Sequence, residues 1–364
     1  MYPKKKVCII VQQKDVQGGI ASVLSRYYGS IIEEDYDVTY VESYCDGSKF
    51  KKLFKAIKGY ILFYITLKTN TPDLVHIHAS FGPSFYRKMP FVNMAVKRKI
   101  PVVYHEHGAD FDTFYINATD KKKNLIFAQF NKMTRFIVLS EEWKEKISTI
   151  IPSDKIRVIN NYSVVKTEKE VEGYIDDRFN NKTVLFLGEI GKRKGGFDLP
   201  DIITRVLKRI PDARFIIAGN GKKDELAEIK NMIPLKYREN VEWPGWIRYG
   251  TKEAALVSSS LFLLPSYQEG MPMSILDAMG YGLPIVSTNV GGIPQIVDTT
   301  AIGNGKLCIP GDTAAISNAI VFYLSNKEAQ RAAGRCSLSI ASKKYSFENH
   351  ISKVEQVYKE VLGE

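Results

Sequence analysis

Short apolar runs without polar alternation mark the first half of the chain, and helix-length stretches separate them. The runs lie at residues 7–11, 38–41, 74–77, 101–104 and 136–139. Continuous apolar strands spaced by helices are typical of a parallel sheet that is covered on both faces. The first half therefore predicts an α/β domain.

The same pattern restarts after a polar segment at residues 166–181, which has the composition of a linker. Further apolar runs follow at residues 183–187, 215–218, 261–264 and 283–287. Two successive α/β units predict two domains. The length of 364 residues agrees, since it exceeds what one hydrophobic core usually supports.

The predicted domains span residues 1–165 and 166–344. Residues 345–364 place their apolar positions on one helical face, which predicts a helix that packs against a domain. In parallel α/β sheets, ligands bind at the carboxyl ends of the strands. We therefore expect the functional site in a crevice at the carboxyl ends of both sheets.

Positive charge is concentrated in the first predicted domain. Of the net charge of +11, residues 1–165 carry +9, with 25 Lys and Arg against 16 Asp and Glu. A basic half predicts an anionic partner, such as a membrane surface or a phosphorylated substrate. Nucleic acid is disfavoured because no recognised nucleic-acid-binding motif accompanies the charge. The four cysteines lack metal-ligand or disulfide spacing, which suits a reducing cytosol. Neither a metal nor a cofactor is expected.

A helix start after the run at 261–264 is the first candidate for chemistry. Pro272 fits the first turn of a helix, and Gly270 lets the preceding backbone turn sharply. The amides of residues 271–274 would then form an anion site. Asp277 shares a helical face with Met273 and could lie beside the ligand. The alternative is an acid that only complements the helix dipole.

A basic loop follows the run at 183–187 and contains Lys192, Arg193 and Lys194 beside glycines. Such cations stabilise the charge that develops on a departing phosphate. The alternative is a loop whose charges are merely solvated.

Together these motifs resemble the retaining family-4 glycosyltransferases of the GT-B fold. The family signature is a Glu and a second acid separated by seven residues, preceded by a Lys-Gly loop and followed by a Gly-Gly-x-Pro turn. The matching positions are Glu269, Asp277, Lys194-Gly195 and Gly291-Gly292-Ile293-Pro294. The resemblance covers nearly all of residues 183–300 and, more weakly, the first half.

The resemblance implies two Rossmann-like domains that face each other across a deep cleft, with the C-terminal helix crossing back to the first domain. It implies metal-independent transfer of a hexose or N-acetylhexosamine from a nucleotide diphosphate donor, with retention of configuration. A UDP-sugar is expected from family frequency. The acceptor is expected to be a glycan or a polyprenyl-pyrophosphate-linked sugar, because a pyrophosphate-linked acceptor would explain the basic first domain. The product would then be a cell-surface polysaccharide.

The resemblance also implies residue roles. The catalytic residues would be His107, Lys194 and Glu269. Donor-binding positions would be Gly18, Gly19, Arg193, Trp246, Ile247, Gly270, Met271, Pro272, Met273, Ser274 and Asp277. Strand alternation places His105 and His107 on the same side, so both are candidates, and the register to Gly108 favours His107.

Three positions depart from the family pattern. Asp277 stands where Glu is usual, Glu189 where Arg is often found, and Gln295 where Glu is common. Two alternatives therefore stay open. One is a non-catalytic partner subunit of the GT-B fold, and the other is a nucleotide-sugar epimerase of related fold.

The segment at residues 49–58 predicts a basic amphipathic helix. Lysines form one stripe and apolar residues a second, the latter comprising Phe50, Leu53, Phe54, Ile57 and Ile61. Such a helix suits an anionic membrane surface, and the alternative is a domain helix with a solvated lysine face. We see no export signal, and no apolar run approaches the ~20 residues of a membrane span. A cytoplasmic protein is expected, either free or peripheral on the inner face of the plasma membrane.

Overall fold

Two compact units make up the protein in the computed structural model, which describes residues 3–16 and 18–364. The first unit comprises the residues up to Asn161 together with Glu348–Glu364, and the second unit comprises Tyr162–Phe347. Each unit is built around its own parallel sheet of six strands.

The first sheet has the strand order β2-β1-β3-β4-β5-β6. Its strands are β1 (Lys6–Val11), β2 (Asp37–Glu42), β3 (Leu74–Ala79), β4 (Val102–Glu106), β5 (Arg135–Val138) and β6 (Ile156–Val158). Every residue of β3 and β4 is buried, as expected for central strands with helices on both faces.

The helices of the first unit are α1 (Gly19–Leu24), α2 (Ile31–Asp35), α3 (Lys49–Thr69), α4 (Pro83–Lys97), α5 (Asp120–Phe130) and α6 (Glu141–Ser148). A π-helical turn (Asp112–Ile116) and a 3₁₀ turn (Ser153–Lys155) complete the unit before its C-terminal helix. The side chain of Ser48 caps α3 by accepting from the Lys51 amide. The buried residues of α3 are Ala56, Gly59, Phe63 and Leu67, and they form the stripe that faces the unit.

The second sheet has the strand order β12-β11-β10-β7-β8-β9. Its strands are β7 (Thr183–Leu187), β8 (Arg214–Ala218), β9 (Val241–Gly245), β10 (Leu261–Leu264), β11 (Ile285–Thr288) and β12 (Gly305–Cys308). Because β7 and β10 are neighbours, the loops that follow them emerge side by side at the carboxyl edge.

The remaining helices of this unit are α7 (Glu168–Glu172), α8 (Ile175–Asn181), α9 (Leu199–Leu207), α10 (Lys223–Met232), α11 (Tyr249–Ser258), α12 (Met273–Gly280), α13 (Ile293–Ile296), α14 (Thr313–Ser325) and α15 (Lys327–Lys344). Two 3₁₀ turns lie at Lys192–Lys194 and Leu235–Asn240.

The prediction of a linker at residues 166–181 is wrong, because most of this segment forms the helices α7 and α8. Val171, Ile175 and Arg178 are buried at helical spacing within an otherwise polar stretch. The Arg178 guanidinium donates to four main-chain carbonyls, those of Leu256, Val257, Tyr281 and Gly282. These bonds tie α8 to the end of α11 and to the turn after α12.

The C-terminal helix α16 (Phe347–Leu362) packs in the first unit through a buried face that includes His350, Val354 and Tyr358. The Tyr358 hydroxyl lies 2.6 Å from Nδ1 of His76 on β3. The two ring nitrogens of His350 lie 2.7 Å from the Tyr27 hydroxyl and 2.7 Å from the carbonyl of Asn160. Among the described residues, no helix combines the length and apolar character needed to cross a membrane.

All five histidines of the chain belong to the first unit, and they form one array of imidazoles, the histidine array: His76, His78, His105, His107 and His350. Burial lowers the pKa of His76 and His107 to about 3 and that of His350 to about 4. Burial also holds the pKa values of His78 and His105 well below the usual range. The array is therefore uncharged in the folded protein at neutral pH.

We expect the first unit to lose stability as the pH falls from 6.5 towards 4. Histidines of the unfolded chain bind protons near pH 6.5, whereas the folded array binds them only at lower pH. The contribution of the neutral array to the unfolding free energy is therefore fully present above pH 6.5 and declines below it. Each histidine removes up to ~1.4 kcal/mol of unfolding free energy per pH unit. Amide hydrogen exchange at pH 7.5 and 5.5, corrected for intrinsic rates, would show selective loss of protection in the first unit. Equal loss in the second unit, whose residues Tyr162–Phe347 include no histidine, would contradict this account.

Candidate functional site

The loops after β7 and β10 meet at the carboxyl edge of the second sheet. The amide of Tyr267 donates to the carbonyl of Arg193 over 2.8 Å. Nζ of Lys194 donates to Oε1 of Glu269 over 2.8 Å, although the two residues are 75 positions apart. The strand order therefore brings together the Lys-Gly loop and the first acid of the signature.

Lys194 and Glu269 form a mostly buried ion pair, with side-chain exposures of 13% and 7%. The same Oε1 accepts from the Ser266 hydroxyl over 2.8 Å, and the Arg193 guanidinium lies 3.9 Å away. A buried charge without a partner is strongly destabilising, so each group depends on the other. The site thus holds a carboxylate and an ammonium side by side at a strand end.

Two glycines of the motif permit this close backbone packing. A Cβ at Gly195 would lie 2.0 Å from the carbonyl oxygen of Pro265, and the residue has φ +70°. A Cβ at Gly291 would lie 1.9 Å from the carbonyl oxygen of Glu269, at φ +56°. Neither position accommodates a larger residue without moving the backbone that carries the ion pair.

Helix α12 begins directly beside this pair. Pro272 occupies the capping position in an extended conformation, one residue before the first helical residue, Met273. The Ser274 hydroxyl in the first turn is buried and has no hydrogen-bond partner among the described residues. A polar hydroxyl at a helix start suits an anionic ligand.

Asp277 lies beyond the first turn of α12, which removes the alternative that it only complements the helix dipole. Its side chain is buried, and Oδ2 accepts from Nζ of Lys252 on α11 over 2.7 Å. Lys252 is a candidate-site residue that the sequence analysis did not find. In the sequence it is one lysine on the helix that follows Trp246, and nothing there indicates a contact with Asp277. The contact depends on how α11 and α12 pack.

Trp246 and Ile247 follow β9 and lead into α11, the helix that carries Lys252. Both side chains are half-buried, and the indole Nε1 of Trp246 has no hydrogen-bond partner among the described residues. The amide of Gly219 donates to the carbonyl of Gly245 over 2.8 Å, which joins the turns after β8 and β9. This segment lies at the same carboxyl edge as the ion pair.

The acid at position 189 is paired rather than isolated. Oε2 of Glu189 lies 3.3 Å from a terminal nitrogen of Arg193, and the Glu189 side chain is mostly exposed. Arg193 also donates to the carbonyl of Gln268 over 3.2 Å. The side chain of Gln295 is exposed, while its carbonyl accepts from Tyr345. These departures thus leave the Lys194–Glu269 contact undisturbed.

The first unit, described by itself, carries two of the sequence-predicted site features. Gly18 stands before α1 with φ +142°, and a Cβ at Gly18 or Gly19 would meet no atom of the described residues within 4 Å, so the space around these two glycines is open. His107 follows β4 and is half-buried, whereas His105 is fully buried. Of the two histidines that alternation allowed, His107 is therefore the one that a ligand can reach.

Within the described residues, one group of three side chains could coordinate a metal ion, namely His76, His78 and His105, whose ligand atoms lie within 4.8 Å of one another. The ionisable groups that interact electrostatically with these three histidines are other histidines and Lys88, and none of them is a carboxylate. A divalent charge buried there would lack a counter-charge. We assign no metal to this group.

Two protein-family models match this chain. Residues 181–326 match the family model described as Glycosyl transferases group 1, and residues 21–162 match that described as Glycosyltransferase Family 4. The two matches cover most of both units. The chain belongs to the family-4 glycosyltransferases.

Individual relatives of this glycosyltransferase are distant. A 41.2 kDa protein in the cps region of Klebsiella pneumoniae is 25% identical over 372 residues, which cover 94% of this chain and 97% of the relative. Phosphatidyl-myo-inositol mannosyltransferase of Mycobacterium tuberculosis is 24% identical over 305 residues, which cover 80% and 74% of the two chains. Anabaena HepE in complex with UDP-glucose has a TM-score of 0.71 at 16% identity, with coverage of 99% and 100%. The likeness to HepE concerns the fold, and it confirms the predicted GT-B architecture of two Rossmann-like units.

Proposed function

We propose that this glycosyltransferase moves a hexose or N-acetylhexosamine from a UDP-sugar to a glycan or lipid-linked acceptor, with retention and without a metal. The observation that carries the proposal is the buried Lys194–Glu269 pair beside the start of α12. A nucleotide-sugar donor carries a diphosphate next to a sugar. The Lys194 ammonium can bind the diphosphate, and the adjacent Glu269 carboxylate can accept hydrogen bonds from the sugar hydroxyls.

The diphosphate is assigned to the cations and the helix start. Lys194 has three N–H donors and uses one on Glu269, so it can bind a phosphate oxygen while keeping that contact. Arg193 adds a planar donor group, and Ser274 adds a hydroxyl. Preorganised positive charge stabilises the leaving diphosphate without the protein having to rearrange. In this scheme no metal is required.

The nucleoside is assigned to Asp277, Trp246 and Ile247. The Asp277 carboxylate accepts hydrogen bonds from the two ribose hydroxyls, and Lys252 orients that carboxylate through their 2.7 Å contact. Trp246 and Ile247 border the nucleobase. Support for uridine comes from family frequency and from the UDP-glucose bound to HepE.

The acceptor is assigned to the first unit, and Gly18 and Gly19 of that unit are assigned to donor binding. His107 positions the donor sugar and does not act as a base, because burial lowers its pKa to about 3. The acceptor proton passes to the departing phosphate, as the family resemblance implies, and retention rests on that resemblance. A cell-surface polysaccharide as product is supported by the relative in the cps region.

Peripheral attachment to an anionic membrane, at the inner face of the plasma membrane, is part of the proposal. Helix α3 turns its apolar stripe to solvent, with Phe50 85% and Phe54 72% exposed and Leu53, Ile57 and Ile61 also exposed. Lys51 and Lys58 are exposed beside them, while Lys55 is paired with Glu42. Exposed aromatic side chains flanked by lysines suit the boundary between lipid headgroups and acyl chains. The mannosyltransferase relative, by its name, acts on a phosphatidylinositol lipid.

Replacing Lys194 with Ala should reduce transfer by ~10²–10³-fold, because it removes positive charge where the leaving diphosphate develops its own. Initial rates at saturating donor would measure this, with Lys223→Ala on α10 as the exposed-lysine control. A Lys194→Ala rate within tenfold of wild type, in a variant with a native circular dichroism spectrum, would contradict the assignment.

Replacing Asp277 with Ala should weaken nucleoside diphosphate binding by ~1.5–3 kcal/mol per lost hydrogen bond, because the carboxylate accepts the ribose hydroxyls. Asp277→Glu should bind nearly as well as wild type, since it keeps the charge and only lengthens the side chain. Titration calorimetry would measure both. Unchanged affinity in Asp277→Ala would remove the ribose role from this residue.

Replacing Phe50 and Phe54 with Ser should lower vesicle binding without lowering thermal stability, because both rings are exposed. Replacing Lys51 and Lys58 with Gln should weaken binding to anionic vesicles by ~1 kcal/mol per charge and leave neutral vesicles unaffected. Co-sedimentation would measure this, with Phe127→Ser, an exposed position on α5, as control. If wild type and both variants sediment equally with anionic vesicles, α3 does not bind membranes and is an ordinary solvated helix.

A further inference from the structure

His107 forms a hydrogen bond with the imidazole of a second, more deeply buried histidine. Its Nε2 lies 3.0 Å from Nδ1 of His78, a residue on β3 that is almost completely buried. The ring planes are 20° apart and the centroids are 5.2 Å apart. With nitrogens this close and centroids this far apart, the rings lie edge to edge, so one N–H points along the ring plane at the other nitrogen's lone pair.

A single hydrogen bridges the two rings, and its position fixes the protonation of both. If it belongs to His78 Nδ1, then His78 Nε2 is a bare acceptor and His107 carries its own hydrogen on Nδ1. If it belongs to His107 Nε2, then His78 must carry a buried N–H at Nε2. Both rings are neutral in the folded protein, so these two arrangements are the alternatives.

The surroundings of His78 decide between the two. Its Nε2 is buried and has no hydrogen-bond partner among the described residues. A buried N–H without an acceptor is rarer in proteins than an acceptor that lacks a donor. The arrangement with the hydrogen on His78 Nδ1 avoids that orphaned N–H.

We propose that His78 is a positioning residue that locks His107 in the Nδ1–H tautomer, so that His107 presents a hydrogen-bond donor to its ligand. The His105 ring, with its centroid 4.2 Å from that of His107, packs against the latter and limits its rotation. His107 then donates to an oxygen of the donor sugar, and its Nε2 is unavailable as a base. The identity of that ligand rests on the proposed function, whereas the tautomer does not.

The test is long-range ¹H–¹⁵N correlation spectroscopy of the full chain labelled with ¹⁵N-histidine, without ligand. We expect the protonated nitrogen of His107 to be Nδ1 and that of His78 to be Nδ1 as well. A protonated Nε2 on His107 in wild type would overturn the proposal. This measurement needs neither substrate nor a substituted protein.

Matched variants separate positioning from packing. His78→Gln keeps an N–H donor for His107, so the Nδ1–H tautomer should persist and transfer should stay near wild type. His78→Met cannot donate, so His107 should shift towards Nε2–H, and kcat/KM should fall by roughly tenfold for one lost hydrogen bond. His76→Met is the control, because His76 is bonded to Tyr358 and not to His107. An unchanged His107 tautomer in His78→Met, or the same shift in His76→Met, would overturn the role of His78.

Failure of the proposed function would look different. If wild type shows the Nδ1–H tautomer but transfers no sugar from any nucleotide donor, the donor assignment fails and the positioning of His107 stands. If wild type transfers sugar but His107 is protonated at Nε2, the donor assignment stands and the positioning of His107 by His78 fails.

Discussion

The buried ion pair of Lys194 and Glu269 is the contact on which the candidate site depends. Taking both charges out of water is costly, and either one alone would be worse. The pair exists because β7 and β10 are neighbours in the sheet and because Gly195 and Gly291 let the backbone approach closely. Such a pair contributes little to stability. We therefore propose that the pair serves ligand binding, with the ammonium contacting a diphosphate and the carboxylate contacting a sugar.

The same arrangement recurs around this pair. Asp277 is held by Lys252, and Glu189 is held by Arg193, so the neighbouring acids also have basic partners before any ligand binds. The first unit follows a different principle. In its neutral histidine array, His76 and His350 bond to tyrosine hydroxyls and a carbonyl. His107 bonds to His78 and packs against His105, which orients its ring without charge. One unit therefore offers paired charges, and the other offers oriented neutral groups on a basic scaffold.

The sequence predicted nine of the twelve described strands, because buried parallel strands are continuous apolar runs; residues 74–77, for example, lie in β3. It missed β6, β9 and β12, which are edge strands in which most residues are not fully buried. It failed at residues 166–181, where composition suggested a linker while Val171 and Ile175 formed a buried helical stripe. It could not reveal Lys252, whose contact with Asp277 depends on the packing of two helices. It also could not orient α3, because that helix carries two apolar stripes, and the buried one uses Ala56, Gly59, Phe63 and Leu67 rather than the aromatic one.

The most direct test of the account is to incubate the protein with a panel of nucleotide sugars and glycan or lipid-linked acceptors, and to measure nucleoside diphosphate release together with the sugar products. The account predicts release of one nucleoside diphosphate per sugar transferred, with UDP-sugars among the active donors and with chelator having no effect. A new sugar isomer that is still attached to the nucleotide would instead indicate an epimerase. No turnover and no binding of any nucleotide would indicate a non-catalytic partner subunit, and either result would contradict the account.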